Sequence, residues 1–178
     1  EMKKKLSIFG CTGSIGDTTF KLFNKNNKEY EFYILTGYRN LKKIKYLIKN
    51  YKPEFFIIFD QKTYLKIKSE LKVKKTKILN SKNYFKYKFK KTDLSISAIP
   101  GIAGLEPTLN LIKMSKKILI ANKESIICGW HLIDKLVKKN GIKILPVDSE
   151  HFSIMNLIRK TKKRNIEKIY LTASGGPF

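Results

Sequence analysis

Gly10, Gly13 and Gly16 stand three apart in the stretch GCTGSIG (10–16). Glycines at that spacing let a chain turn tightly and bring its backbone close to a pyrophosphate. A helix opening just behind them adds free N–H groups and partial positive charge. Thr12 and Ser14 contribute hydroxyls to the same loop. A tight structural turn has the same composition, so the reading depends on the flanking elements. In TGYRN (36–40), Arg39 occupies the place where a loop that binds NAD usually carries an acid for the ribose hydroxyls. A guanidinium there suits a 2′-phosphate, which favours NADP over NAD.

Two further stretches bring charge together. PVDSEH (146–151) places Asp148 and Glu150 two positions apart after the apolar run IKIL. On an extended chain both carboxylates point to one side. They could hold Mg²⁺ or Mn²⁺ through hard oxygen ligands, open a helix that Ser149 caps, or sit in a solvated loop. His151 reads as a helix-start residue rather than a ligand. IANKES (120–125) opens a long helix: Asn122 can cap it and Glu124 suits its first turn. Lys123 opposes the helix dipole and so calls for an anionic partner, a substrate oxygen or a carboxylate. ASGGPF (173–178) offers Ser174 and two flexible amides, for a phosphate or for a plain turn.

The elements that must position these residues alternate along the chain. Strands are expected at 6–10, 32–35, 54–59, 94–99, 117–121, 142–147 and 168–173. Helices are expected at 15–25, 41–50, 61–71, 104–115, 123–139 and 151–160, and the Lys- and Tyr-rich stretch 72–92 is ambiguous. Strand alternating with helix argues an α/β fold with a doubly wound, Rossmann-like parallel sheet. In that fold the glycine loop joins the first strand to the first helix, and PVDSEH follows a strand at the edge where such sheets bind ligands.

Composition narrows the class further. With 178 residues, 42% of them apolar, folding can bury roughly 70% of the chain's surface without staples. No run of about 20 apolar residues suggests a membrane span, and no apolar stretch behind EMKKKLSIFG marks a signal peptide. Glu1 before Met2 suggests a trimmed start. Cys11 and Cys128 form no CxxC spacing, which points to free thiols in a reducing, cytoplasmic compartment. The net charge of +24 invites a nucleic-acid reading, but only three of the 38 basic residues are Arg (Arg39, Arg159, Arg164) and the Lys residues form no stripe. The excess of Lys, Asn and Ile reads as codon bias in an AT-rich genome.

GCTGSIG, GYRN, PGIAGLEPT, LIANKES, LPVDSEH and TASGGPF, in that order, resemble the signature segments of the 1-deoxy-D-xylulose 5-phosphate reductoisomerase family. The resemblance spans the chain, and ANKES with PVDSEH is far more specific than the glycine loop. It implies an NADPH-binding domain over 1–145 and the beginning of an α+β catalytic domain over 146–178, with a further catalytic portion and a helical domain beyond. It therefore implies an N-terminal portion, inactive by itself, of an enzyme that is a homodimer at full length. Thr12, Gly13, Ser14 and Ile15 would line the cofactor's pyrophosphate and ribose. Tyr38, Arg39 and Asn40 would surround its 2′-phosphate, and Asn122 and Glu124 would approach it. Lys123, Ser149, Glu150 and Ser174 would meet the sugar phosphate, with Asp148 and Glu150 as ligands of Mg²⁺ or Mn²⁺. The implied reaction rearranges and reduces 1-deoxy-D-xylulose 5-phosphate to 2-C-methyl-D-erythritol 4-phosphate, in the methylerythritol phosphate route to isoprenoids. Lys123, Asp148 and Glu150 would carry the catalysis. The competing readings are another NADP-dependent reductase of the aspartate-semialdehyde dehydrogenase type, which needs a nucleophilic Cys that neither Cys11 nor Cys128 is placed to be, and a basic nucleic-acid-binding module.

Overall fold

The computed structural model describes residues 3–25 and 29–170. β1 (Lys4–Phe9) shows why a strand forms first. Leu6, Ile8 and Phe9 are apolar and fully buried, and Ser7 is buried with its hydroxyl bonded to Thr92 Oγ1 at 3.1 Å. A strand buried on both faces belongs at the centre of a sheet covered by helices. Six more strands join it: β2 (Tyr30–Gly37), β3 (Phe55–Ile58), β4 (Lys77–Asn80), β5 (Leu94–Ser97), β6 (Lys117–Ile120) and β7 (Lys143–Pro146). All pairings are parallel, in the order β4-β3-β2-β1-β5-β6-β7. The chain winds outward from β1 in one direction and then, from β5, in the other. The seam between β1 and β5 is therefore the point where strand order reverses, and such seams open into a crevice at the strands' carboxyl ends.

Helices cover both faces. α1 (Ser14–Lys25), α2 (Leu41–Tyr51) and α3 (Gln61–Glu70) pack Phe20, Ile44, Leu47, Ile48 and Ile67 against one face, where Leu6, Ile8 and Phe56 point. α4 (Leu105–Lys113) and α5 (Lys123–Asn140) pack Leu111, Ile112 and Ile133 against Phe9, Ile57 and Ile118 on the other. Each such fully buried side chain contributes about 1.5–3 kcal/mol of transfer free energy, before the entropy of ordering it. α4 and α5 approach closely because Gly129, at a non-helical φ of −127° inside α5, faces Leu105, whose methyl a Cβ there would strike. α6 (Ser149–Ile158) follows β7 and buries none of its residues.

Four helices that start at the strands' carboxyl edge are capped in the same way. Asn40, Asp60, Asn122 and Asp148 accept from the backbone N–H of Lys43, Thr63, Ser125 and His151. A cap of this kind is worth about 1 kcal/mol, and it fixes where the functional loops end.

Most expected elements are present, with three differences. The ambiguous 72–92 stretch contains β4, an edge strand, and a 3₁₀ turn at Tyr84–Lys86. The helix expected at 104–115 is a 3₁₀ turn (Ile102–Gly104) running into α4. The strand expected at 168–173 is not formed over 166–170, and its remainder lies outside the described residues.

Candidate active site

The glycine loop leaves β1 through Gly10, whose φ of +85° is a left-handed conformation that glycine accepts readily. A Cβ there would also lie 2.6 Å from Ala98 O, so the loop presses against the end of β5. Its other side is tied to β2: Gly10 N donates to Thr36 Oγ1 at 2.8 Å and Cys11 N to Thr36 O at 3.0 Å. Gly16, in the first turn of α1, has no room for a Cβ because the backbone of Cys11 already fills that space. Gly13 differs. Only Gly10 O, at 3.7 Å, would neighbour its Cβ, and Gly13 lines an open cleft of about 470 Å³.

That cleft lies on the β1–β5 seam. Gly10, Thr12, Gly13 and Tyr38 form one wall, and Ala98, Ile99 and Pro100 form the other. Phe59, Ala103 and Pro107 complete it. Ser14 and Ile15 open α1 at the rim, both exposed. Thr12, Gly13 and Tyr38 are thus brought together on one cleft. The second wall, Ala98–Pro100, follows β5 and leads into PGIAGLEPT (100–108), which adds Ala103 and Pro107; none of these residues was singled out by its type or spacing. The signal lay in topology: β5 neighbours β1, so the loop after it must face the glycine loop.

Arg39 is an exposed residue at the end of β2. Its guanidinium carbon sits 4.7 Å from the centre of the Tyr38 ring, and its Nε donates to Asp60 Oδ1 at 3.1 Å. That hydrogen bond raises the pKa of Arg39. Asp60 is held below the usual carboxylate range, first by the Thr63 N–H, then by the Thr63 hydroxyl and by Arg39. Asn40 spends its side-chain oxygen on the α2 cap, 3.1 Å from Lys43 N.

The second group of residues gathers at the ends of β6 and β7. Asn122 is a clamp. Its oxygen caps α5, and its amide nitrogen donates to Gly101 O at 2.9 Å and to Ile99 O, tying the cleft's far wall to the start of α5. Gly104 must lack a side chain because Asn122 fills the space. The Asn122 side chain therefore helps position this cleft, and the exposed Glu124 stands in the first turn of α5. Lys123 has the anionic partner its position demands: its Nζ lies 3.0 Å from Glu150 Oε1. Glu150 is drawn down to about 2, chiefly by Lys123 and also by the Ser149 hydroxyl, 2.9 Å from its other oxygen. Lys123 is raised by the same pair.

The PVDSEH acids do not lie on an extended strand. Asp148 is the N-cap of α6 and Glu150 lies in its first turn, so the same-side alternation expected of an extended chain does not apply. Asp148 also does the capping expected of Ser149. Its Oδ1 accepts from His151 N at 2.9 Å and lies 2.7 Å from the imidazole Nδ1. Its Oδ2 is buried and has no hydrogen-bond partner. A buried carboxylate oxygen without a partner is costly unless a cation uses it, so the donor set fits a hard divalent metal. Among the described residues no cluster of three or more acids, His or Cys surrounds it. Mg²⁺ commonly takes one or two carboxylates and completes its shell with water and substrate oxygens. His151 is the helix-start residue expected, and the first turn of α6 brings its ring to Asp148. Ser174 lies outside the described residues.

A doubly wound sheet with a glycine-walled cleft at its reversal point, and a guanidinium beside that cleft, has the architecture of the Rossmann-type folds. Family models make it more specific: residues 6–129 match 1-deoxy-D-xylulose 5-phosphate reductoisomerase, and 144–178 match that enzyme's C-terminal domain. The chain belongs to the 1-deoxy-D-xylulose 5-phosphate reductoisomerase family. It is 46% identical over 178 residues to the reductoisomerase of Pelagibacter ubique, covering 98% of this chain and 46% of that one. Among solved structures, the Zymomonas mobilis reductoisomerase in complex with NADPH superposes with a TM-score of 0.77 at 31% identity, covering 84% of this chain and 40% of that one. A reductoisomerase in complex with NADPH, fosmidomycin and magnesium gives 0.73 at 32%, covering 83% and 37%. The chain spans about half the length of the curated relatives it matches. Membership displaces the aspartate-semialdehyde dehydrogenase reading. The buried Cys11, its thiol pushed up by desolvation, is no nucleophile either. Among the described residues no helix is long and apolar enough to cross a membrane.

Proposed function

We propose that this chain carries the NADPH site and part of the metal and substrate site of a 1-deoxy-D-xylulose 5-phosphate reductoisomerase. That enzyme forms 2-C-methyl-D-erythritol 4-phosphate in non-mevalonate isoprenoid biosynthesis. The observation that carries the reading is the unpartnered, buried Oδ2 of Asp148, set beside the Lys123–Glu150 pair on the same sheet edge as the glycine cleft.

Thr12, Gly13, Ser14 and Ile15 receive the pyrophosphate and ribose, using amides at the start of α1 that have no intrahelical partner. Tyr38, Arg39 and Asn40 hold the 2′-phosphate, and Asn122 and Glu124 shape the cofactor's far end. NADPH supplies the hydride. Asp148 and Glu150 would hold Mg²⁺ or Mn²⁺. The metal's contribution is Lewis-acid polarisation of substrate oxygens. Lys123 stands at the N-terminus of α5, where its charge and the helix dipole both favour an anionic oxygen of the sugar phosphate. Ser149, and Ser174 with it, donate hydroxyls to the substrate. Glu150 holds the Lys123 ammonium beside the acids until substrate arrives.

We propose a division at 145, into an NADPH-binding domain (1–145) and the start of the catalytic domain (146–178). The second matched family segment begins at 144, close to that division. We assign the full-length enzyme as a cytoplasmic homodimer. Bacterial relatives and the two free thiols accord with the compartment, and exposed apolar side chains such as Trp130, Phe152 and Leu157 accord with further covering of this surface. The +24 charge reads as background rather than as a nucleic-acid surface.

Arg39→Ala tests the cofactor assignment. Losing a charge-assisted contact should weaken NADPH by about 1.5–3 kcal/mol, roughly 10- to 150-fold, and leave NADH within about twofold. Calorimetry with both cofactors reads the difference. Equal weakening of the two would remove Arg39 as the 2′-phosphate reader.

A further inference from the structure

We propose that Asp60 is a specificity-determining positioning residue, which holds Arg39 in the orientation that selects a 2′-phosphorylated cofactor. The inference rests on Arg39 being the 2′-phosphate reader.

Asp60 and Arg39 are 21 residues apart in sequence and are brought together by the sheet. β2 and β3 pair in parallel register through Gly37 and Ile58, so the segments that follow them, 38–39 and 59–60, run side by side. Asp60 uses its two oxygens for different tasks. Oδ2 accepts from Thr63 N at 2.9 Å and from Thr63 Oγ1 at 2.8 Å, which fixes the carboxylate at the start of α3. Oδ1 turns back toward β2 and accepts from Arg39 Nε. The acid's side chain is only 15% exposed and the guanidinium's is 69% exposed, so the anchored partner is the acid.

An N-cap needs one acceptor oxygen, and Oδ2 provides it. The bond from Oδ1 to Nε adds little to stability at so exposed a site. Its effect is on the arginine. Nε is the inner nitrogen of the guanidinium, and engaging it leaves both outer nitrogens, with four N–H groups, free for a phosphate. The Tyr38 ring supports the plane from one face. Fixing the long side chain before ligand arrives removes an ordering cost that binding would otherwise bear. The carboxylate lies at the inner end of the fork, away from the outer edge where a phosphate docks.

The test is Asp60→Asn, because Asn caps a helix as well as Asp does and can still accept from Thr63. Binding of NADPH, 2′,5′-ADP and NADH is measured by calorimetry on the wild type, Asp60→Asn, Arg39→Ala and the double variant. Asp60→Asn should weaken NADPH and 2′,5′-ADP by about fivefold or more and leave NADH within about twofold. In the Arg39→Ala background it should change nothing, a coupling that a merely structural role would not produce. Asp60→Ser, which also keeps a cap oxygen, should follow Asp60→Asn and serves if that variant folds poorly. Unchanged or tighter NADPH binding in Asp60→Asn, or equal losses of NADPH and NADH, overturns the proposal. If Arg39→Ala shifts the NADPH-to-NADH ratio and Asp60→Asn does not, only Asp60's role fails. If Arg39→Ala leaves the ratio untouched, the reading of Arg39 fails with it.

Discussion

Asp148→Asn, placed in a polypeptide of the family's full length, is expected to lower metal-dependent turnover by about a thousandfold or more while NADPH affinity stays within about twofold. About 4 kcal/mol of transition-state stabilisation corresponds to that loss, and a bound metal supplies an effect of this size. The substitution is nearly isosteric. Asn can keep the cap to His151 N that Asp148 Oδ1 now makes, so α6 should still begin at the same place. What changes is the buried, unpartnered Oδ2, which becomes neutral and ceases to be a hard anionic ligand. The cofactor should not sense this, because the glycine loop follows β1 and Asp148 follows β7, with β5 and β6 between them. Steady-state kinetics with Mg²⁺ and with Mn²⁺, together with a cofactor titration, read both halves of the expectation. Ordinary activity at saturating substrate would leave Asp148 as a helix cap and nothing more.

The second large effect separates fold from ligand within one loop. Gly16→Ala is expected to destabilise the protein by about 3 kcal/mol, at the upper end of overpacking costs, and to weaken NADPH more than about tenfold. At this chain length the melting temperature should fall by roughly 6–12 °C. The new methyl would run into the backbone of Cys11, which is itself bonded to Thr36 and cannot yield alone. The start of α1 must move, and the amides proposed to receive the pyrophosphate move with it. Gly13→Ala is the contrast. Its Cβ meets only Gly10 O at ordinary contact distance, so the melting temperature should hold within about 2 °C, less than 1 kcal/mol of stability. NADPH should still weaken, because the methyl occupies the cleft the cofactor's phosphates need. Calorimetry and thermal melts on both variants give the comparison. Equal melting temperatures for the two would show that the close packing at Gly16 carries no weight.

The central strands and the helices beside them were legible because burial on both faces leaves an unmistakable apolar run, as in LSIF and FFIIF. β4 was not, because an edge strand of four residues beginning with Lys carries no such run. At the site, Lys123 was legible through its conflict with the helix dipole, which demanded an anion, although only the fold shows that Glu150 provides it. The order of strands could not be read locally, so the cleft's second wall at Ala98–Pro100 and the approach of Asp60 to Arg39 stayed hidden. Both are consequences of which strand lies beside which. The acids of PVDSEH stood out by their spacing, with an extended chain, a helix start and a loop all open; the fold makes the stretch a helix start, with Asp148 rather than Ser149 as its cap.

One measurement bears on the whole account. A full-length polypeptide of the family that contains this chain is incubated with 1-deoxy-D-xylulose 5-phosphate, NADPH and Mg²⁺, and NADPH oxidation is followed alongside product analysis. The account predicts one NADPH consumed for each 2-C-methyl-D-erythritol 4-phosphate formed, and loss of both on chelating the metal. NADPH oxidation that ignores the sugar phosphate, or that survives removal of the metal, would contradict it.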